Sequence, residues 1–321
     1  MPDHVLVTGG CGFVGANLIP KLLARGLTVR VLDNLSRGSR ENLEGLEVEI
    51  VEADVRDSEA VARALAGVGT VVHLAAYGSV AESVDEPLEN FDVNVRGTVV
   101  LLAACARAEV ASFVFASTGG ALVGNATPPI DETTLPWPIS PYGASKLCGE
   151  AYCHAFAGSL GLRTVALRFA NVYGPFSQHK RGAVTNFVRS ALRGEPLVIY
   201  GDGQASRDFL YVDDLCDGIC AALDAPVDDE VVHLASGSET TIAQLARLIL
   251  ELTGAAETPI RYEPRRRGEV ERNFAKTDRA AALLGFRPVH SLRDGLRKTI
   301  DWYVERDRPQ RAGTSATHST D

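Results

Sequence analysis

A tyrosine and a lysine stand four residues apart in the segment S-P-Y-G-A-S-K, as Tyr142 and Lys146. Residues at this spacing lie on one face of a helix, one turn apart. A phenol with a free pKa near ~10 is a poor base at neutral pH, but a neighbouring ammonium favours the phenolate. The pair could therefore remove a proton from a substrate hydroxyl, although a helical Tyr/Lys pair taken alone is more often a surface pair.

A glycine-rich turn near the amino terminus gives that pair a context. Gly9, Gly12 and Gly15 have the spacing G-x-x-G-x-x-G and follow a predicted strand at His4–Thr8. Glycine permits a tight turn and lets backbone amides approach a pyrophosphate, and the amino terminus of the following helix adds a favourable dipole. Between a strand and a helix, this turn predicts a dinucleotide site.

Acidic residues at the ends of the next two predicted strands indicate which dinucleotide is bound. Asp33 closes the second strand, where a carboxylate can bond the adenosine ribose hydroxyls and opposes a 2′-phosphate. NAD is therefore favoured over NADP, and Arg37 close by keeps NADP open as the alternative. Asp54, at the end of the third strand, either contacts adenine or caps the turn that follows the strand.

Apolar, valine-rich runs alternate with longer helical patterns. The strands are predicted at His4–Thr8, Leu27–Asp33, Val48–Ala53, Thr70–Ala75, Ser112–Ser117, Thr164–Phe169 and Val231–Ala235. The helices are predicted at Gly12–Arg25, Ser58–Ala66, Pro87–Ala108, Pro141–Leu160 and Val212–Leu223. Pro20 is expected to kink the first helix, or else to end it early. This rhythm predicts an α/β fold with a Rossmann-type, doubly wound parallel sheet.

The rhythm changes after Asn171, where shorter elements predict a smaller α/β substrate-binding domain interleaved with the first. Its helices and strands are predicted at Thr185–Arg193, Leu197–Tyr200, Ile242–Leu252, Ile260–Glu263, Asp278–Leu284 and Leu292–Glu305. Residues 1–170 plus roughly 209–236 are assigned to the NAD-binding domain, and 171–208 plus 237–308 to the nucleotide-sugar-binding domain. The polar segment 309–321 lacks apolar periodicity and predicts a disordered tail.

Charge and composition exclude several classes of function. The 321 residues carry a net charge of −9, so the chain lacks the excess of positive charge that is typical of nucleic-acid-binding proteins. No apolar run approaches ~18 residues and no signal peptide is visible, so neither a membrane span nor secretion is expected. The six cysteines are scattered without zinc-like pairing, so no metal site is predicted. A cytoplasmic protein with reduced cysteines is the working expectation.

Ordered motifs along the chain show a family resemblance from Val5 to Tyr303. They are the glycine turn, L-D-N-L-S-R-G from Leu32, H-L-A-A from His73, E-S-V-D-E-P-L-E-N from Glu82, Y-x-x-x-K from Tyr142, R-F-A-N-V-Y-G-P from Arg168, Y-G-D-G from Tyr200, R-D-F-L-Y-V-D-D from Arg207 and R-R-G-E-V from Arg266. With these motifs the sequence resembles the extended short-chain dehydrogenase/reductase family. Within that family it is similar to the NAD-dependent nucleotide-sugar epimerases and dehydratases of the UDP-glucose 4-epimerase type.

The resemblance implies roles for the catalytic residues. Tyr142 would take the proton of the sugar 4-hydroxyl, and Lys146 would bond the nicotinamide ribose and lower the pKa of the tyrosine. A hydroxyl after the preceding strand would bond the same sugar oxygen; Thr118 is the first choice for it and Ser117 the second. His73 is tempting as an acid or base, but its place in H-L-A-A favours a packing role.

The resemblance also implies two sets of binding residues. The NAD-binding set is Gly9, Gly12, Phe13, Val14, Gly15, Asp33, Asn34, Asp54, Val55, Leu74, Ala75, Ala76, Asn94, Tyr142, Lys146 and Phe169. The nucleotide-sugar set is Thr118, Asn171, Val198, Tyr200, Arg207, Arg266 and Glu269. In the second set the arginines would hold phosphates, because a guanidinium suits paired phosphate oxygens. A homodimer formed through helices at Glu89–Ala108 and Tyr142–Ser159 is also implied.

Departures from the family pattern bear on the reaction and the sugar. Gly119 and Gly120 stand where dehydratases and decarboxylases often carry acidic residues, which favours a 4-epimerase acting through a transient 4-keto sugar. These glycines are also expected to leave room for a sugar substituent. Asn273 stands where UDP-galactose-specific relatives often have a tyrosine, which suggests tolerance of N-acetylhexosamines, although a surface position is equally open.

Several alternatives remain at this stage. Lys180 and Arg181, in the basic loop from Ser177, could attract the diphosphate or a uronate carboxylate, or could simply be solvated, so a UDP-glucuronate 4-epimerase stays open. A reductase of an NDP-4-keto sugar is the second enzyme hypothesis. A dehydratase, a decarboxylase and a non-catalytic NAD-binding protein are disfavoured.

Overall fold

The strands of the described residues form one large sheet and three small ones. The computed structural model describes residues 4–265 and 270–313, the last seven of them as backbone only. In chain order the strands are β1 His4–Thr8, β2 Thr28–Asp33, β3 Glu49–Glu52, β4 Thr70–His73, β5 Ser112–Thr118, β6 Arg163–Phe169, β7 Asn171–Tyr173, β8 Leu197–Tyr200, β9 Ser206–Arg207, β10 Phe209–Tyr211, β11 Glu230–Leu234, β12 Thr240–Thr241 and β13 Ile260–Glu263.

Helices cover the large sheet and build most of the second half. They are α1 Phe13–Ala24, α2 Ser58–Ala64, α3 Val80–Asp85, α4 Pro87–Phe91, α5 Gly97–Arg107, α6 Gly120–Val123, α7 Pro141–Leu160, α8 Ala183–Arg193, α9 Val212–Asp224, α10 Ile242–Leu252, α11 Asp278–Leu284 and α12 Leu292–Gly313. A 3₁₀ turn lies at Arg40–Leu43, and a π-helical turn at Asp92–Arg96 joins α4 to α5. No described helix is long and apolar enough to cross a membrane.

The large sheet has the order β3-β2-β1-β4-β5-β6-β11, and every neighbouring pair is parallel. This confirms the predicted Rossmann-type fold. The chain reverses its direction of travel across the sheet between β1 and β4, and a crevice opens at the carboxyl ends of strands at such a point. Side chains alternate across β1, so that Val5 and Val7 join one apolar core and Leu6 joins the core on the opposite face.

The small sheets lie in the second half of the chain. β7 pairs with β10 and β8 with β13, both in parallel, while β9 pairs with β12 in the antiparallel sense. α9 and β11 return to the large sheet, where β11 pairs with β6 and α9 contacts α1. The proposed division into two interleaved domains stays a prediction.

Two helices differ from the sequence-based expectation. α1 continues past Pro20 to Ala24, because Leu18, Ile19 and Leu22 are fully buried while the proline ring faces solvent. The alternative expectation, that Pro20 ends the first helix early, is therefore wrong. α12 continues through Pro309 to Gly313, so the predicted tail begins too early, and residues 314–321 lie outside the described residues.

Candidate active site

One cleft of about 1280 Å³ runs along the carboxyl ends of the sheet strands and into the second half of the chain. Its lining brings together residues that are far apart in sequence, from Gly9 in the first turn to Asn273 near the end. Thr118, Tyr142 and Lys146 all line its wall. The cleft is larger than the ~300–1,000 Å³ typical of a single-ligand pocket, which leaves room for both a dinucleotide and a second ligand.

The glycine turn forms the floor of one end of the cleft. Gly9 has φ +69, and a Cβ there would lie 2.7 Å from the Ala75 nitrogen, so the turn and the end of β4 approach too closely for a side chain. Gly12 precedes α1 and lines the cleft together with Phe13 and Val14. The unpaired amides at this helix amino terminus suit a pyrophosphate, and the tight cradle fits a dinucleotide.

Gly15 lies outside the lining of the cleft. A Cβ on Gly15 would lie 2.3 Å from the carbonyl oxygen of Gly10, so this glycine lets α1 pack closely against the turn. Its contact with a dinucleotide stays a prediction.

Asp33 stands beside the turn at the carboxyl end of β2. Its Oδ2 accepts the amide hydrogen of Cys11 at 2.9 Å and its Oδ1 accepts that of Leu35 at 2.8 Å. Burial raises the pKa of Asp33, and these two amides lower it in part. The carboxylate thus fixes the turn while it lines the cleft, where each oxygen has a further lone pair for a ribose hydroxyl.

Asp54 also lines the cleft, but its carboxylate is already engaged. It accepts the backbone N–H of Arg56 at 2.9 Å, the Arg56 guanidinium at 2.8 Å and the side-chain amide of Asn34 at 2.8 Å. These bonds, those to the Arg56 side chain first, hold the pKa of Asp54 down at about 2. The geometry favours the turn-capping interpretation, and contact with adenine stays a prediction.

Tyr142 and Thr118 form the reactive pair of the cleft wall. Tyr142 lies in the first turn of α7, which Ser140 caps by accepting the Gly143 amide at 3.2 Å. Thr118 ends β5, and its hydroxyl lies close enough to the Tyr142 phenol to act on the pKa of that phenol. Burial raises the pKa of Tyr142 to about 12, and the Thr118 hydroxyl opposes that rise. Tyr142 is therefore a neutral phenol until a positive charge comes close.

Lys146 lies one turn further along α7, as its spacing predicts. Its Nζ donates to the carbonyl of Ala116 at 2.8 Å and lies 4.9 Å from the centre of the Phe115 ring. Burial lowers the pKa of Lys146 to about 8, and the charge of Glu150 opposes this only in part. Lys146 lines the same cleft wall as the phenol.

A buried ion pair beneath α7 engages one of the two candidate hydroxyls. Glu150 binds Arg168 through two bonds, Nε–Oε1 at 2.9 Å and Nη2–Oε2 at 2.8 Å. Ser117 donates its hydroxyl to Glu150 Oε1 at 2.5 Å. Since that hydroxyl is occupied and Thr118 meets Tyr142, the geometry favours Thr118. Glu150 was missed from the sequence, although it stands four residues beyond Lys146 on the same helix.

His73 and Asn94 lie behind the cleft wall. Thr98 donates to the Asn94 carbonyl at 2.5 Å, so its oxygen must accept the His73 Nε2 proton at 3.0 Å, while Thr8 approaches Nδ1 at 2.6 Å. This chain of bonds supports the packing role expected for His73. Asn94 does not line the cleft; it accepts the Tyr77 amide at 2.7 Å and donates to Ser145, so its effect on a cofactor is through position.

Stability should depend on pH through two buried histidines. Burial lowers the pKa values of His73 and His233 to about 3, against ~6.5 in the unfolded chain. Each takes up a proton on unfolding below pH ~6.5, so the folded state loses on the order of 2 kcal/mol per histidine on going from pH 6.5 to 5. Urea unfolding at several pH values tests this. His233→Asn should remove about half of the histidine-dependent loss in the free energy of unfolding between pH 6.5 and 5. An unchanged pH dependence in that variant would contradict the assignment.

The second half of the chain supplies the opposite wall of the cleft. Asn171, Val198, Tyr200 and Arg207 all line it, as the nucleotide-sugar set requires. Arg207 Nη1 donates to the carbonyl of Ser206 at 2.8 Å, which directs the guanidinium along this wall. Arg266 and Glu269 lie outside the described residues.

The space beside the two glycines is not open, contrary to the expectation. A Cβ on Gly119 would lie 3.1 Å from Nδ1 of the buried His233, which faces the protein interior. A Cβ on Gly120 would lie 2.8 Å from Cγ of Asn273. Asn273 is buried and lines the cleft, so the surface alternative is wrong. The side chain of Asn273, and not the two glycines, limits the width of the cleft at this point.

Comparison with known proteins identifies the family of this chain. Residues 5–235 match the model of the NAD dependent epimerase/dehydratase family. The chain belongs to this family. It is 36% identical over 310 residues to a UDP-glucose 4-epimerase of Mycolicibacterium smegmatis, covering 94% of this chain and 98% of that one.

Solved structures agree with this membership. The chain superposes with a TM-score of 0.91 and 39% identity on the UDP-glucose 4-epimerase of Thermotoga maritima with UDP-glucose, covering 94% of this chain and 99% of that one. The UDP-glucose 4-epimerase of Thermus thermophilus with NAD superposes with a TM-score of 0.89 and 38% identity, again covering 94% of this chain and 99% of that one. The chain is therefore an NAD-dependent nucleotide-sugar epimerase. The family is broader than this activity, since a dTDP-glucose 4,6-dehydratase of Streptomyces niveus is 32% identical over 311 residues, covering 94% of this chain and 92% of that one.

Proposed function

We propose that the enzyme is a 4-epimerase of a UDP-linked hexose. The observation that carries this proposal is the cleft wall that Thr118, Tyr142 and Lys146 share, with Lys146 one helical turn beyond Tyr142. The two residues after Thr118 are glycines, which have no group to transfer a proton at C5 or C6. Epimerisation at C4 needs one proton to leave and return, and Tyr142 can do both.

The residues act on the 4-hydroxyl in a simple order. NAD, when bound, supplies reversible hydride acceptance at sugar C4, and the glycine turn and Asp33 would hold it. Lys146 places a positive charge that lowers the cost of forming the Tyr142 phenolate. Thr118 donates its hydrogen bond towards the same oxygen. Tyr142 takes the hydroxyl proton as the sugar becomes a 4-keto sugar. It returns the proton after the keto sugar has rotated to present its other face to the hydride.

The pyrophosphate of the sugar nucleotide would lie along the wall formed by the second half. Arg207 is proposed to hold it, with Asn171 at the same wall, because a guanidinium pairs well with phosphate oxygens. Val198 and Tyr200, which flank the same part of the cleft, are proposed to flank the nucleoside base. Arg266 and Glu269 remain proposed contacts to phosphate and ribose on sequence grounds alone.

A cofactor-independent assay separates this proposal from net reduction of a 4-keto sugar. The purified chain, incubated with UDP-glucose and no added nicotinamide, should form UDP-galactose, as detected by NMR of the sugar protons. Bound NAD should remain oxidised after many turnovers. A requirement for stoichiometric reduced cofactor would instead establish the reductase.

Asn273 provides the prediction on sugar choice. Because the three heavy atoms nearest to a Cβ on Gly120 all belong to Asn273, Asn273→Tyr should narrow the cleft at this point. We expect turnover of UDP-N-acetylglucosamine to fall at least about tenfold more than turnover of UDP-glucose, which corresponds to ~1.4 kcal/mol of discrimination. Asn273→Ala, which keeps the room, is the control. Equal losses on both sugars in the tyrosine variant would show that residue 273 does not select the sugar.

A homodimer is also proposed, on the basis of exposed apolar side chains. Leu88 and Phe91 on α4 and Tyr152 and Leu160 on α7 are exposed, and α4 contacts α7. A helical face of this kind suits a second copy of the chain. Light scattering should give twice the monomer mass, and Leu88→Glu combined with Phe91→Glu should reduce it to that of the monomer. A monomeric wild type would contradict the proposal.

A further inference from the structure

Three charged residues from separate segments of the chain meet at the rim of the cleft. We call them the rim cluster: Arg37 follows β2, Glu82 lies in α3, and Arg181 precedes α8. Arg37 Nη2 contacts Glu82 Oε2 at 2.5 Å, and Arg181 Nη1 contacts Glu82 Oε1 at 3.2 Å. All three line the cleft. The side chain of Glu82 is only 15% exposed, against 51% and 79% for the arginines, so the carboxylate lies inside and the arginines lie outside.

Arg37 occupies a position that matters for the choice of dinucleotide. It stands four residues after Asp33, on the loop that leaves the carboxyl end of β2. An arginine close to this strand end is the residue that accommodates the 2′-phosphate of NADP in Rossmann folds. Arg37 is therefore the group in this loop that could overcome the opposition of Asp33 to a 2′-phosphate.

In this structure the Arg37 guanidinium is held elsewhere. Besides the 2.5 Å bond, its Nη1 lies 3.5 Å from Glu82 Oε1, and its Cζ lies 5.2 Å from the centre of the Tyr77 ring. The carboxylate and the aromatic face thus hold the guanidinium from two sides. Before it could bind a phosphate, the guanidinium would have to give up a charge-assisted pair.

We propose that Glu82 makes the site select NAD over NADP by holding Arg37 away from the adenosine ribose. Glu82 is well fixed for this task, because its backbone N–H bonds the Ser79 hydroxyl that caps α3 and Arg181 binds its other oxygen. The bond from Arg37 lowers the pKa of Glu82, so the carboxylate is ionised at neutral pH. Asp33 repels a 2′-phosphate, and Glu82 binds the Arg37 guanidinium that would otherwise attract one.

The test is an exchange experiment on the full chain. The protein is equilibrated with mixtures of NAD and NADP, and the bound nucleotides are separated and counted by chromatography. The ratio of bound NADP to bound NAD gives a relative affinity that does not depend on turnover. We expect Glu82→Gln to raise the relative affinity for NADP about tenfold, while the affinity for NAD alone changes less than about threefold.

Two further variants identify Arg37 as the cause. Glu82→Gln combined with Arg37→Gln should lose the gain, whereas Glu82→Gln combined with Arg181→Gln should keep it. Glu251→Gln, which breaks the exposed two-bond pair with Arg293 between α10 and α12, is the matched control and should leave the ratio unchanged. A gain that persists without Arg37, or an equal loss of both nucleotides in Glu82→Gln, would overturn the proposal.

Arg37→Gln alone keeps the test decisive if Glu82→Gln does not fold. Because Arg37 is engaged by Glu82 in the wild type, its removal should change the relative affinity for NADP less than about twofold. A large fall in NADP binding would mean that Arg37 already reaches the 2′-phosphate past Glu82, and the proposal would be wrong.

Discussion

Tyr142→Phe is expected to lower turnover about 10³-fold while the variant still binds NAD. The substitution removes one oxygen, which lies in the cleft wall beside Thr118, so the fold and the cleft should remain. The lost function is that of a general base, whose contribution is commonly ~10²–10⁴-fold. Turnover of UDP-glucose by NMR, together with protein-bound NAD, measures both quantities. Near wild-type turnover with normal NAD content would show that Tyr142 is not the base.

The neighbouring hydroxyls provide a matched pair of variants. Thr118→Val removes the hydroxyl that meets Tyr142 and should lower turnover about 10-fold or more, with little effect on the free energy of unfolding. Ser117→Ala removes the bond to Glu150 and should act in the opposite way, on stability more than on turnover. If Ser117→Ala has the larger kinetic effect, the assignment of Thr118 is wrong.

The second large effect is expected from the buried pair of Glu150 and Arg168. Both side chains are less than a tenth exposed, and two hydrogen bonds join them. Removing one partner leaves the other charge buried without compensation, which typically costs ~3–5 kcal/mol. Arg168→Met should therefore lower the free energy of unfolding by about that amount, as measured by urea denaturation with NAD present throughout.

An exposed pair of similar geometry is the control for this prediction. Arg293 binds Glu251 through bonds of 2.8 and 3.0 Å, but both side chains are about half exposed. Arg293→Met should cost less than about 1 kcal/mol, because exposed ion pairs are solvated and flexible. Equal losses in the two variants would show that burial is not what makes the Glu150–Arg168 pair important.

The sequence determined the sheet in some detail because its signals are local. Apolar, valine-rich runs, several of them without polar alternation, marked all seven strands of the large sheet within about two residues, and glycine spacing marked the first turn. Tyr142 and Lys146 were placed together for the same reason, since a helix fixes the relation of residues four apart. The π-helical turn at Asp92–Arg96 was not predicted, because the sequence pattern there continues as a single helical stretch from Pro87 to Ala108.

Longer-range relations needed the tertiary structure. The choice between Ser117 and Thr118 depends on Glu150 and Arg168, which arrive from another helix and another strand. The space beside Gly120 depends on Asn273, more than 150 residues away, and it proved to be filled where glycine alone suggested an opening. Arg37 meets Glu82 and Arg181 only because two loops and helix α3 converge at one rim.

By itself, then, the sequence determined the fold, the dinucleotide turn and the tyrosine–lysine pair, because the spacing of residues within single elements is enough to place them. Only the tertiary structure decided which hydroxyl faces the phenol, which side chain limits the cleft and which charge holds Arg37. Those relations join elements that are distant in the chain. They are set by side-chain packing and by the partners that buried charges require, and neither is written in local spacing.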